Sequence, residues 1–159
     1  MKHRIGTIFC LLIATLPFFA CEKKADPPAS VSFETTHTTS NEILDPAPML
    51  KQRITGIGQS TQLGISKFVA VSVMNMTTAP PFQITGPATF YADNGDTFTT
   101  TFTGTATPNA DGSLTLELNN TITGGTGKFL HATGSLISKS IVGPKIPTPT
   151  ITGKGTITY

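Results

Sequence analysis

The sequence predicts an all-β protein: a small antiparallel up-and-down β-barrel of seven to eight strands, preceded by a signal peptide and a flexible linker. Threonine, valine, isoleucine and phenylalanine are abundant, tryptophan is absent, and there are 15 glycines and 12 prolines. This composition is typical of β-proteins. Apolar residues also alternate with threonine along several runs, as they do in strands with one buried face. No segment has the periodicity of a long amphipathic helix.

The first 20 residues have the features of a secretory signal peptide. Lys2, His3 and Arg4 form a basic start, and an apolar run follows from Ile5 to Ala20. This run is shorter than the roughly 20 apolar residues that a transmembrane helix needs. A basic start, a short apolar middle and a small residue at the end together indicate export from the cytoplasm.

A cysteine follows this segment directly. The sequence Leu16-Pro17-Phe18-Phe19-Ala20-Cys21 resembles a bacterial lipobox, with Phe18 where a smaller aliphatic residue is more usual. The resemblance implies cleavage before Cys21 and diacylation of its sulfur; an ordinary signal peptide cleaved elsewhere is the alternative. Two or more acyl chains hold a protein stably on a membrane. We therefore expect a lipid-anchored protein of the bacterial cell envelope, on the periplasmic or surface face of the outer membrane.

The cysteine count and the net charge narrow the function further. Cys10 leaves with the signal peptide and Cys21 is the lipidation site, so the mature domain has no disulfide and no cysteine nucleophile. Loss of Lys2 and Arg4 lowers the formal net charge from +2 to 0, and Arg53 is the only arginine that remains. Neither nucleic acid nor an anionic phosphate group is therefore an expected partner.

Residues 21–50 are predicted to form a lipidated tether and a loop. Glu22 to Ser30 is charged and contains two adjacent prolines, so it stays extended. Val31 to Thr36 alternates weakly, and whether it is a barrel strand stays open. Asn41 to Leu50 contains two more prolines and is predicted to be a loop or a one-turn helix.

The barrel domain is predicted to span residues 51–159. Period-2 alternation marks seven strands, which are Gln52–Gly58, Leu63–Asn75, Ile84–Ala92, Thr97–Thr107, Ser113–Thr123, Thr133–Val142 and Thr150–Thr158. Seven strands, or eight with residues 31–36, can close a small barrel whose side chains fill or nearly fill the interior.

The same alternation assigns the inward-facing side chains. The residues predicted to line or fill the interior are Phe90, Phe98, Phe102, Leu114, Leu116, Leu118 and Phe129. The inner face is then almost wholly apolar. Such an interior favours the binding of a small apolar ligand, or a structural surface role, over catalysis.

Two turns carry special sequences. Asn94-Gly95 predicts a two-residue hairpin in which both central residues adopt positive φ; a calcium site between Asp93 and Asp96 is the weaker alternative. The second turn is the glycine-dense segment from Gly124 to Gly134, where Gly124, Gly125 and Gly127 permit a tight corner and Phe129 plugs the barrel end. An anion-binding nest of backbone N–H groups is the alternative for this corner.

The corner Gly124-Gly125-Thr126-Gly127-Lys128-Phe129, followed by Ala132-Thr133-Gly134, resembles the Gly-Gly-Thr-Gly-x-Phe-x-x-Ala-x-Gly signature of dirigent proteins. Allene oxide cyclases carry a similar Gly-Gly-Thr-Gly-x-Phe. The resemblance covers residues 54–159 and implies an eight-stranded, calycin-like barrel that often assembles as a trimer. It also implies the alternative function, an enzyme that steers a reactive intermediate in the barrel cavity. The catalytic aspartate and arginine residues of dirigent proteins cannot be placed on this sequence.

Other candidate chemistry is sparse. His131, beside the corner, is either a general base or a solvated side chain. His37 and His131 are not a zinc pair without a third ligand. The sequence therefore predicts no catalytic residue, no metal site and no cofactor.

Overall fold

The computed structural model describes residues 28–159, which form a closed, antiparallel, eight-stranded β-barrel. The strands are β1 (Ser30–Asp45), β2 (Met49–Ser60), β3 (Gly64–Asn75), β4 (Phe82–Ala92), β5 (Thr97–Pro108), β6 (Leu114–Gly125), β7 (Thr133–Val142) and β8 (Thr150–Thr158). Each strand pairs with its neighbours in sequence, and β8 pairs with β1 to close the sheet. The predicted fold class is confirmed. The signal peptide and Cys21 lie outside the described residues.

The N-terminal strand extends the barrel well beyond its predicted start at residue 51. Residues 41–50 are not a loop or a one-turn helix, because Asn41 pairs with Ile54 and Ile43 pairs with Gln52. Closure explains this difference: a barrel without edges needs a strand that pairs with both β2 and β8. The two prolines of the segment lie in the short connection between β1 and β2.

The β4–β5 hairpin also differs from its prediction. Gly95 has a φ of 87°, but no non-glycine residue among residues 28–159 has positive φ, so Asn94 does not share this conformation. The N–H of Gly95 donates to the carbonyl of Ala92 at 3.1 Å, and the N–H of Ala92 donates to the carbonyl of Asp96 at 2.8 Å. This is a three-residue loop with a glycine in the left-handed region, which spares Asn94 the cost of positive φ.

The two ends of the barrel are different. At one end, called here the closed end, β1 begins, β8 ends and the corner between β6 and β7 crosses the barrel. The opposite, open end carries the connections β1–β2, β3–β4, β5–β6 and β7–β8. Among residues 28–159, no helix is long and apolar enough to cross a membrane.

The closed end is filled by an aromatic cluster. The ring of Phe98 lies 4.7 Å from Phe90, 5.4 Å from Phe33 and 5.6 Å from Phe129, measured between ring centroids. Phe129 in turn contacts Tyr159 at 4.9 Å. Phe33, Phe98 and Phe129 are fully buried. The cluster therefore seals this end of the barrel.

The glycine corner brings Phe129 into this cluster. A short 3₁₀ turn, Gly127–Phe129, follows β6, and Gly127 has a φ of 55°. A side chain at Gly127 would overlap the carboxylate of Asp96, which accepts a hydrogen bond from the N–H of Lys128 at 3.4 Å. An internal carboxylate thus occupies the place that a bound anion would take in a nest.

Candidate functional site in the barrel cavity

A cavity of about 480 Å³ occupies the open half of the barrel and reaches its open end. Its size falls within the range of roughly 300–1,000 Å³ that is usual for small-molecule sites. All eight strands contribute to the wall, because each strand sends alternate side chains inward. Phe90 of the aromatic cluster contributes to the floor, and the rest of the cluster lies beneath it.

The structure divides the seven predicted interior residues into two groups. Five of them line the cavity, namely Phe90, Phe102, Leu114, Leu116 and Leu118. Phe98 and Phe129 are buried beneath the floor and do not line it. Gly124, Gly125 and Gly127 lie at the closed end, away from the cavity.

The inner face is more polar than the sequence predicts. Among residues 28–159, nine buried side chains with hydroxyl, amide or imidazole groups point inward, and these are Thr35, His37, Ser60, Ser66, Ser72, Thr100, Asn120, Ser138 and Ser140. The prediction of an almost wholly apolar interior is therefore wrong. These groups tolerate burial where they hydrogen-bond to one another or to the backbone.

Four of these side chains form a closed ring of hydrogen bonds at the floor. His37 Nδ1 lies 2.7 Å from Thr35 Oγ1, and His37 Nε2 lies 3.0 Å from Ser66 Oγ. The Ser60 hydroxyl donates to Thr35 Oγ1 at 2.9 Å and lies 3.0 Å from Ser66 Oγ. The ring joins β1, β2 and β3, so it ties three strands together inside the barrel.

The direction of these bonds fixes the state of the imidazole. Because Ser60 donates to Thr35, Ser66 donates to Ser60, and His37 Nε2–H must then donate to Ser66. Thr35 completes the ring by donating to Nδ1. With Ser60 donating to Thr35, every hydroxyl has one donor and one acceptor role when His37 is neutral and carries its proton on Nε2.

Burial also keeps the imidazole of His37 neutral. The imidazole is 1 % exposed and packs edge-on against the rings of Phe68 at 5.2 Å and Phe90 at 6.0 Å. Desolvation lowers its pKa from 6.5 to about 4. His37 therefore faces the cavity as a neutral, hydrogen-bonding group at neutral pH.

Asn120 forms a second polar feature of the floor. Its Nδ2 donates to the backbone carbonyls of Leu118 and Leu136, both at 3.2 Å, and to Ser138 Oγ at 3.0 Å. Backbone carbonyls can only accept, so the amide nitrogen must face them. The Asn120 Oδ1 atom then points the other way, and no residue within 28–159 donates to it.

The chain Ser66–His37–Thr35 has the connectivity of a nucleophile, a base and an orienting group. Its geometry does not suit catalysis, because Ser66 and Ser60 are not among the residues that line the cavity. A ligand in the cavity would meet the imidazole and not the serine hydroxyl. The chain is thus a structural element of the floor.

The remaining candidates lie outside the cavity. His131 is exposed beside the corner at the closed end. Asp96 binds the corner and Asn94, at 3.4 and 3.0 Å, so its carboxylate serves the turn. Within the part of the chain that the structure describes, no three His, Cys, Asp or Glu side chains form a group that could hold a metal ion.

Comparison with protein-family models, with curated proteins and with solved structures found no match to this chain.

Proposed function

We propose that this protein is a lipid-anchored binding protein of the bacterial cell envelope that holds a small, mainly apolar ligand in its barrel. The observation that carries the proposal is the cavity of about 480 Å³, which is closed at the floor and open at one end. A barrel that served only as a scaffold would be expected to fill this space with side chains, as small barrels can.

The chemistry of the wall favours binding over catalysis. Apolar side chains, chiefly those of leucine, isoleucine and phenylalanine, make up most of the wall, and none of the described residues that line it is Asp, Glu, Lys, Arg or Tyr. General acid–base catalysis needs a group whose pKa lies near the operating pH. In the part of the chain that the structure describes, His37 is the one titratable residue that lines the cavity, and burial lowers its pKa to about 4.

The position of the tether fits a ligand that arrives from the aqueous side. Ser30 begins β1 at the closed end, whereas the mouth of the cavity lies between connections at the open end. A chain anchored through Cys21 would therefore present its closed end to the tether. The mouth would be free to exchange ligand with the surrounding solution.

We expect the cavity to bind N-phenyl-1-naphthylamine, a neutral dye that fluoresces in apolar surroundings. The mature chain from residue 21 with Cys21→Ser keeps all eight strands and is suited to this titration. Ala88→Phe should weaken dye binding at least tenfold, because Ala88 is buried in the cavity wall and the larger ring would occupy the site.

Thr89→Phe is the matched control for this substitution. Thr89 is the next residue on β4 and does not line the cavity, so its replacement should leave dye affinity unchanged. Equal dye binding by both variants, or none by the unmodified barrel, would contradict a ligand site inside the barrel.

The anchor has its own test. Cys21→Ala should abolish incorporation of a labelled fatty acid and move the protein out of the membrane fraction, because Cys21 is the one cysteine that follows the predicted signal peptide and its acyl chains would hold the protein on the membrane. Cys10→Ala, which changes the other cysteine of the sequence, should keep both properties. A Cys21→Ala protein that stays labelled and membrane-bound would overturn the anchor.

A further inference from the structure

We infer that the ligand is a neutral apolar alcohol whose hydroxyl group binds at the floor of the cavity, between Asn120 and Ser138. This inference rests on the proposed binding function and specifies the class of its ligand. Two observations support it. Asn120 and Ser138 have hydrogen-bonding capacity that no described residue uses, and the described residues of the cavity wall carry no charge at neutral pH.

Asn120 and Ser138 offer a donor and an acceptor side by side. Asn120 Oδ1 is an acceptor without a donor among residues 28–159, and the side chain is 5 % exposed and lines the cavity. Ser138 Oγ accepts from Asn120 Nδ2 at 3.0 Å, so its own proton can be donated elsewhere. A hydroxyl group both donates and accepts, and it therefore complements this pair.

Thr35 and Ser138 lie close to each other on the floor of the cavity, on either side of β8. Gly153 on β8 lies between β1 and β7, and a Cβ at this position would be 2.7 Å from Thr35 Cγ2 and 3.2 Å from Ser138 Oγ. Because Gly153 has no side chain, Ser138 and Thr35 approach each other across β8. The hydrogen-bonded ring around His37 and the Ser138–Asn120 pair thus lie on either side of Gly153, with the methyl group of Thr35 facing Ser138.

The ring itself has no spare donor for the ligand, because its four members use their protons on one another. Thr100 Oγ1 is buried without a partner but does not line the cavity. Asn120 and Ser138 are therefore the floor groups best placed to recognise a hydroxyl. Above them the wall is mainly apolar, with Leu116 and Leu118 on β6 and Ile84 on β4, although Ser72 and Ser140 also face the cavity. A bound molecule would place its polar end at the floor and its apolar body toward the mouth.

The lack of cations in the wall excludes a carboxylate in the same place. Among the described residues, the lysines and Arg53 do not line the cavity, and His37 is neutral at neutral pH. A carboxylate buried without a cation or sufficient donors is costly. An ether has an acceptor but no donor, so it would leave Asn120 Oδ1 unpaired and desolvated.

The test compares three ligands of similar length as competitors for N-phenyl-1-naphthylamine. At pH 7.5, 1-decanol should displace the dye at a concentration about tenfold lower than decanoate or 1-methoxydecane does. A tenfold difference corresponds to about 1.4 kcal/mol, which lies within the range of one net hydrogen bond. Asn120→Leu and Ser138→Ala should each remove most of this preference. Asn119→Ala, which changes an exposed neighbour of Asn120, should preserve it.

The outcomes separate the two proposals. Failure of the unmodified barrel to bind the dye would contradict the binding function itself. Dye binding with equal displacement by all three competitors, or an alcohol preference that survives in Ser138→Ala, would overturn the alcohol assignment alone. Circular dichroism shows whether Asn120→Leu folds. If it does not fold, Ser138→Ala and the comparison of the three competitors test the alcohol assignment.

Discussion

Replacing Phe98 by alanine is expected to lower the free energy of unfolding by about 3–5 kcal/mol, which is usual for a buried phenylalanine. Phe98 is fully buried, and its ring contacts three other aromatic rings, those of Phe33, Phe90 and Phe129. The substitution would leave a void enclosed on all sides, because the corner and the C-terminal strand cover this end. The thermal midpoint should fall by about 10–20 °C.

Phe102→Ala provides the matched control on the same strand. Phe102 is also buried, at 4 % exposure, but one side of its ring borders the cavity. Fewer atoms pack against that side, so removal of the Phe102 ring enlarges an existing space. We therefore expect Phe102→Ala to lower the free energy of unfolding by about half as much as Phe98→Ala. Urea unfolding followed by circular dichroism compares the two variants. Equal losses would show that the aromatic cluster at the closed end is not specially stabilising.

β6 could be predicted from the sequence because its inner face is largely apolar. On β6, Leu114, Leu116 and Leu118 alternate with outward polar residues, and the predicted strand differs from the observed one by at most two residues at each end. On β1 the inward residues after Phe33 include Thr35 and His37. Alternation of polarity disappears when both faces are polar, so most of β1 could not be predicted.

The cavity floor was missed for a related reason. Asn120 occupies an even position of β6, on the leucine face, and this was the available signal for a buried amide. The ring around His37 gave no such signal, because Thr35, Ser60 and Ser66 belong to three different strands. Their meeting depends on the register of β1 with β2 and of β2 with β3. Periodicity within one strand does not contain that register.

Acidification from pH 6.5 to pH 4 is expected to destabilise the barrel through His37. The pKa of His37 is lowered from 6.5 to about 4 by burial, so between these values the unfolded chain binds a proton that the folded chain does not. Unfolding free energy therefore falls as pH falls through this interval. The full interval corresponds to roughly 3 kcal/mol; because the open cavity admits water that screens the charge, we expect about 2 kcal/mol.

His37→Gln should remove this pH dependence, because glutamine does not titrate but can still donate and accept hydrogen bonds. His131→Gln, which changes the exposed histidine of the corner, should retain it. Urea unfolding at pH 7 and at pH 4.5 measures the difference. Asp111 does not account for a loss of stability between pH 7 and pH 4.5. Hydrogen bonds from Ser113 lower the pKa of its carboxyl group, so the stability that this carboxylate contributes is lost at lower pH. If His37→Gln kept the acid sensitivity of the parent, protonation of His37 would not be the cause of the loss of stability at low pH. If it lost this sensitivity, the hydrogen-bonded ring would be identified as the acid-labile part of the barrel.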